Sequence, residues 1–475
     1  MEMNYQQYTA LAVEHEIIPV YKVFEEDCLT PIGIFNRLSP LKPSYILESV
    51  GDPKDLGRYS FIGLDSQMVT GLADIMGFEA VQHKLAKYKA PQVEALPKCY
   101  ASIIGYMAYN AIEDIQPITL KHAVNLPKYQ FLFSKTVVAI DHLKHQLIII
   151  HHVTDPEKSD YERAMAKIDE IYGRLSAAEP AEAMDKTIKA PLVFRSNFEK
   201  ADYRAAVDKI KDYIKAGDVF QVVLSQKFTA KGKLDGFSLY RNLRKENPSP
   251  YLSYIRFPDV EVLCSSPEML VRMDDEVVET APIAGTRAVK NDGKDDFRAK
   301  ELSEDAKDLA EHLMLVDLGR NDIGKVSQAG TVTVAQYCEV KCFSKVMHLV
   351  SSVKGVPRHD ITAMDGLRAT FPAGTVSGAP KLRAMEIIDE LEPDSRDLYA
   401  GAIVLMNAAG HVNSCISIRT IQLRDNQVII QAGGGIVHDS VPDHEYLEVL
   451  NKSRAMFNAI EKTYKGEVTY DFDYR

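Results

Sequence analysis

The chain has 475 residues, too many for one ordinary hydrophobic core and suited to two or three lobes or one large α+β unit. Its 46% hydrophobic and 26% charged residues exclude a disordered chain, and 67 acids against 56 lysines and arginines, a formal charge of -11, exclude a general polyanion binder. Six scattered cysteines (Cys28, Cys99, Cys264, Cys338, Cys342, Cys415) form no Cys-x-x-Cys pair, so neither a disulfide framework nor a cysteine zinc site is expected and a reducing cytoplasm fits best.

The start, Met1 to Ala10, is polar, with no basic stretch leading into an apolar run, and no apolar stretch is long enough to cross a bilayer. Export and membrane insertion are not expected. FLFSKTVVAI (Phe131 to Ile140) and QLIIIHHV (Gln146 to Val153), separated by the polar DHLKH, predict a hairpin. SAAEPAEAMDKTIKAP, Ser176 to Pro191, is short of large apolar residues and reads as a surface linker. It divides the chain into residues 1–190 and 191–475.

The second part opens with Ser196 and Glu199 at capping-box spacing, followed by Tyr203, Ala206, Val207, Ile210, Tyr213 and Ile214 at helical period and a stop at Gly217. VFQVVLSQKF then predicts a strand with Phe220, Val222 and Leu224 on one face and Gln221, Ser225 and Lys227 on the other. Between Gly401 and Gly435 the runs GAIVLMN, NSCISIRTIQL and QVIIQAGGG, joined by AAGH and RDN, have the spacing of an antiparallel meander. The pattern favours an α+β fold of antiparallel sheets flanked by helices over a doubly wound parallel sheet.

Two helical runs carry paired acids. EDAKDLAEHLMLVDLGRNDIG places Asp308 and Glu311 on one helix face, and SVPDHEYLEVLNKSRAMF does the same with Glu445 and Glu448. Opposed, they would supply oxygen ligands suited to Mg²⁺ rather than zinc; taken singly, each pair also reads as solvated surface acids. Ser440 is a candidate N-cap of the second helix, with Pro442 in its first turn. Gly433, Gly434 and Gly435 would let backbone N–H groups approach an anion, and Gly374, Thr375, Ser377 and Gly378 precede a helix predicted to start near Pro380. Neither segment matches a nucleotide motif. Arg419, expected on a strand opposite Ile416 and Ile418, offers a fork for a carboxylate, while His348 in KVMHLVSSV reads by itself as a core histidine.

Together these segments resemble the chorismate-utilising enzymes, and among them the anthranilate synthase component I group. The likeness is carried by SPEMLVR (Ser266 to Arg272), PIAGTR (Pro282 to Arg287), EHLMLVDLGRND (Glu311 to Asp322), PAGTVSGAPK (Pro372 to Lys381) and AGGGIVHDS (Ala432 to Ser440). The resemblance implies that Glu311 and Glu448 ligate Mg²⁺, with Asp308 and Glu445 in the acidic shell around it; position 308 is commonly glutamate in the family. It assigns the ring carboxylate of chorismate to the metal, with Gly433 to Gly435 and Lys452 nearby, and the enolpyruvyl carboxylate to Arg419 and Tyr399. Glu268 becomes the acid that protonates the departing C4 hydroxyl, His348 and Thr375 serve the pyruvate-losing step, and Gly285 and Thr286 line the site.

Two positions select a branch. Relatives that add water to C2 have a lysine where this chain has Gln221, and those that work through a covalent lysine adduct have it where this chain has Ala284. The resemblance therefore implies amination of chorismate at C2 and loss of pyruvate; an enzyme that stops at 2-amino-2-deoxyisochorismate, or a non-catalytic tryptophan-binding regulatory subunit, are the alternatives. No cysteine has the flanking glycines of a glutaminase nucleophile, so ammonia is expected from a separate glutamine amidotransferase subunit. Feedback by tryptophan is implied by ILES (Ile46 to Ser49) and NPSPYL (Asn247 to Leu252), with Glu48, Ser49, Arg58, Pro250, Tyr251 and Leu252 as its contacts. Tryptophan is absent from the composition, an omission that would benefit an enzyme needed when tryptophan is scarce.

Overall fold

The computed structural model describes residues 1–50, 56–70, 77–154, 157–177, 190–290, 292–342 and 346–474. Its centre is the long strand Tyr129–Asp141, from which two antiparallel runs of sheet diverge. One run passes through Tyr59–Met68, Tyr45–Glu48, Tyr251–Arg256, Glu261–Ser266, Thr420–Arg424 and Gln427–Ile436 to Gln221–Lys231. The other passes through Ile103–Met107, Ala402–Met406, Val412–Ile416, Met269–Met273 and Val278–Thr280 to Val346–Gly355. The core divides into two main apolar clusters, one with Ile62, Leu224 and Phe457 that also takes in Ile104, Ile403 and Cys415 from the second run, the other with Phe131, Val271 and Val404. Helices cover the sheets, giving the expected α+β architecture.

The hairpin forms as predicted, with Thr136 opposite His151. Sheet pairing ignores the proposed division at 190: Ile46 lies opposite Tyr254 and Ile104 opposite Leu405. Of the linker itself, residues 178–189 lie outside the described residues. No helix among the described residues is long and apolar enough to cross a membrane.

Several local expectations are corrected. The helix Lys200–Ala216 ends on Gly217, whose φ of 86° needs glycine, but its N-cap Glu199 makes no side-chain cap; Ser196 Oγ instead accepts from Phe198 N–H at 3.0 Å. Phe220 stands before its strand, 72% exposed, because the ladder starts at Gln221. The meander breaks: NSCISIRTIQL is two strands, Val412–Ile416 and Thr420–Arg424, which join different runs. Arg419 thus sits in the turn between them with φ 52°, not on a strand. The RDN turn forms, with Asp425 and Asn426 both left-handed as a two-residue hairpin requires. Helix Pro442–Thr463 is capped by Val441, and Ser440 Oγ accepts from Val437 N–H at 3.0 Å.

Candidate active site

The strands that end the two runs bring the sequence motifs together. Gln427–Ile436 lies against Gln221–Lys231 with Gly435 opposite Val223, and the Pro442–Thr463 helix follows it directly. Close approach explains the glycines. A methyl at Gly433 would stand 2.6 Å from the Tyr399 hydroxyl and 2.9 Å from the Leu224 carbonyl, and one at Gly435 would stand 2.5 Å from Gln221 Nε2. A methyl at Gly434 would point at the Glu445 and Glu448 carboxylates, 3.5 and 3.7 Å away.

The acids behave differently from one another. Glu311, on helix Ala306–Gly324, accepts from Gln221 Nε2 at 2.9 Å. Glu448 pairs with Lys452 Nζ at 2.7 Å, and that amine also donates to the Gly433 carbonyl at 3.0 Å. Burial raises the Glu445 pKa, and the neighbouring Glu448 charge adds to the rise. Asp308 is ion-paired with Arg287 Nη1 at 3.0 Å and lies against Gly285, where an added methyl would stand 3.2 Å from its carboxyl carbon. The four predicted acids therefore have separate partners, Glu311 on Gln221, Glu448 on Lys452 and Asp308 on Arg287, with Glu445 beside Glu448 at Gly434. Among the described residues the three glutamates do not close to within 4.8 Å of one another; the group that does is Glu26, Asp27 and Cys28 near the start of the chain. Gln221 Oε1, beside Glu311, is buried without a hydrogen-bond partner.

Glu268 hangs from the corner between strands Glu261–Ser266 and Met269–Met273, 6% exposed. Desolvation pushes its carboxyl up to about 8, against the opposing pull of Thr375, the Ile283 amide and Lys452. Thr375 Oγ1 approaches it yet completes no hydrogen bond. These two side chains line a cavity of about 40 Å³. His348, on strand Val346–Gly355, meets the Gly285 carbonyl at 2.8 Å and Thr286 Oγ1 at 3.1 Å through Nδ1. A carbonyl only accepts, so the proton is on Nδ1 and the lone pair on Nε2. Burial, aided by the Arg419 and Lys452 charges, lowers the His348 pKa and favours the neutral ring.

Arg419 donates to the Lys452 carbonyl. Burial lowers its pKa while Tyr399 and Glu448 raise it, so these charges lie around the same space. Tyr399 is 5% exposed, and burial raises its phenol. The site thus gathers a protonated carboxyl, a neutral imidazole, two cations and an oxygen-only acidic edge. The sequence reading missed the Arg287 clamp on Asp308 and the buried Arg396–Glu392 pair behind Tyr399. The four-residue spacing of Glu392 and Arg396 was the available signal for the latter.

A second cavity, about 210 Å³, lies where strands Tyr45–Glu48 and Tyr251–Arg256 pair. Glu48, Ser49, Pro250, Tyr251 and Leu252 all line it, with Leu405, Asn413 and Cys415 from the other run. Glu48 accepts from the Tyr240 hydroxyl at 2.7 Å and forms an ion pair with Arg244 at 3.1 Å; its pKa is nevertheless raised, because burial outweighs both. Ser49 Oγ donates to the Pro250 carbonyl at 2.5 Å. Arg58 is not on this wall, being paired with Asp141 at 3.0 Å, and its neighbour Tyr59 takes the place.

A family model described as chorismate binding enzyme matches residues 45–458. Anthranilate synthase component 1 of Acetivibrio thermocellus is 40% identical over 484 residues, spanning 96% of this chain and 98% of that protein. The crystal structure of anthranilate synthase component I from Streptococcus pneumoniae is similar with a TM-score of 0.71 and 34% identity, covering 92% of each chain. The menaquinone-specific isochorismate synthase from Escherichia coli shares the fold, with a TM-score of 0.70, 18% identity and coverage of 96% and 98%.

Proposed function

This chain belongs to the chorismate binding enzyme family, and from that premise we propose that it is the large subunit of an anthranilate synthase, turning chorismate and ammonia into anthranilate and pyruvate. The observation that carries the reading is the buried Glu268 carboxyl, pushed up to about 8 beside a site rich in cations. At pH 7 such a group is roughly nine-tenths protonated, and hydroxide is too poor a leaving group to depart without that proton.

Ammonia attacks C2 while Glu268 protonates the C4 hydroxyl, which leaves as water. Gln221 supports an amine as the nucleophile: an amide held by Glu311 cannot deprotonate water, and ammonia needs no prior deprotonation. Ala284 leaves no amine for a covalent route at this position. The enolpyruvyl C–O bond then breaks as the C2 proton is removed and the ring becomes aromatic. His348, neutral and with its lone pair on Nε2, has the protonation state of a base for that step, and Gly285, Thr286 and Thr375 orient the groups around it. Arg419 and Tyr399 suit the enolpyruvyl carboxylate, and Lys452 with Gly433 to Gly435 suits the ring carboxylate.

The donor chemistry fits a resident Mg²⁺: Glu311, Glu448 and Glu445 offer hard oxygen ligands that would draw together around the ion, and the unpartnered Gln221 Oε1 adds a polar acceptor beside Glu311. When bound, the ion would supply positive charge to the ring carboxylate. Asp308, ion-paired with Arg287 beside Gly285, belongs to the acidic shell around the ion rather than to its direct ligands. The 210 Å³ cavity suits an amino acid with a large apolar side chain, its amino group toward Glu48, and we assign it to tryptophan as feedback inhibitor. The printed name component 1 of the relatives supports a second component, for which a glutamine amidotransferase is the natural source of ammonia in the cytoplasm. In the test, the purified chain receives chorismate and Mg²⁺ with either an ammonium salt or glutamine. Turnover with ammonium alone is expected; turnover with glutamine would overturn the two-subunit reading, and untouched chorismate would overturn the function.

A further inference from the structure

Behind the substrate-facing side chains lies a buried ion pair, Arg396 and Glu392, 2% and 3% exposed. Arg396 Nε donates to Glu392 Oε2 at 2.9 Å and Nη2 to Oε1 at 2.6 Å. Glu392 Oε1 also accepts from Ser225 N–H at 2.8 Å and its Oγ at 2.7 Å. Taking two ions out of water costs more than their attraction commonly returns, so stability alone is a poor reason for the pair.

What the guanidinium holds gives a better one. Nη1 donates to the Val376 carbonyl and Nη2 to the Val223 carbonyl, each at 2.7 Å, and the group lies 5.4 Å from the Tyr399 ring centre. Val376 follows Thr375, which faces Glu268; Val223 is two residues from Gln221, the partner of Glu311; the Tyr399 hydroxyl abuts Gly433. One planar cation therefore links three segments that are remote in sequence, each carrying a different part of the site. A lysine has no fork with which to do this.

We infer that Arg396, held by Glu392, is a positioning residue that fixes Thr375, Gln221 and Tyr399 relative to one another, so that amination and pyruvate loss proceed in one site without release of the aminated intermediate. The inference rests on the chorismate-aminating reading. Its test uses the full chain with chorismate, Mg²⁺ and an ammonium salt, following aminated intermediate, anthranilate and pyruvate separately. Arg396→Lys is expected to lower kcat by about 100-fold, the loss typical of misplaced reacting groups, with a smaller change in KM for chorismate. Aminated intermediate should then accumulate ahead of pyruvate. A folded variant that releases anthranilate and pyruvate as the wild type does, with no free intermediate, overturns the assignment whatever its rate. If circular dichroism shows Arg396→Lys unfolded, Glu392→Gln, which keeps the side-chain shape, decides by the same product ratio. Wild-type chain that leaves chorismate untouched would instead refute the reading of the site, leaving the positioning question distinct.

Discussion

Replacing Glu268 by glutamine should remove catalysis and add stability. The carboxyl moves from an ordinary 4.5 to about 8 through desolvation, so the folded chain binds this proton more tightly than the unfolded chain. Below pH 4.5 both states are protonated and nothing is lost; as the pH climbs from 4.5 towards 8, the unfolded state gains the freedom to ionise and the fold pays for keeping the group neutral. At pH 7 the difference amounts to about 3 kcal/mol, and at pH 5 to under about 1 kcal/mol, using about 1.4 kcal/mol per pH unit. A glutamine never ionises, so Glu268→Gln should melt higher than wild type at pH 7 to 8 and match it more closely at pH 5. Its turnover should fall by about 10² to 10⁴, the range for a lost general acid. Wild-type kcat/KM should decline as pH rises through about 8, and this limb should vanish in the residual activity of the variant. Thermal melts at the two pH values and a rate profile from pH 6 to 9.5 suffice. A variant that stays active, or one less stable than wild type at pH 8, would refute the reasoning.

Other outcomes follow from the same geometry. Glu448→Gln should abolish Mg²⁺-dependent turnover, read by titrating the metal against rate; undiminished activity would take Glu448 out of the metal site. Gly433→Ala should raise KM for chorismate by at least about tenfold, since the added methyl meets the Tyr399 hydroxyl at 2.6 Å and a backbone carbonyl at 2.9 Å; an unchanged KM would show that Tyr399 does not hold substrate. Glu48→Ala should relieve inhibition by tryptophan and leave turnover in its absence intact, because the 210 Å³ cavity shares no lining residue with the cavity at Glu268; unchanged inhibition rejects the site. The lowered His348 pKa keeps its base form below the usual 6.5, so the acid limb of the rate profile should lie under that value; a limb above it would mean the ring is charged in the working site.

The elements that sequence alone disclosed are those with local causes. The helix Lys200–Ala216 followed from apolar period and the glycine that stops it, and the hairpin from two β-branched runs around a polar turn. The pairing of Ile46 with Tyr254 joins segments about 200 residues apart and leaves no local trace, so the cut at 190 looked cleaner than the sheet allows. At the site, motif glycines and acids were legible because close backbone approach and paired charge restrict residue choice. Their partners were not: Arg287 reaches Asp308 across two elements, and Arg58 turns to Asp141 instead of the cavity. Ser440 and Ser196 have cap-forming side chains, yet each spends its hydroxyl on a neighbouring turn. The raised Glu268 carboxyl is likewise a product of burial by residues from several elements, which no spacing rule encodes.

On this reading one site aminates chorismate and then expels pyruvate. Incubating the purified chain with chorismate, Mg²⁺ and an ammonium salt while following anthranilate fluorescence and pyruvate together tests it most directly. Equal rates of appearance are predicted; amination without pyruvate, or chorismate left unconsumed, would contradict it.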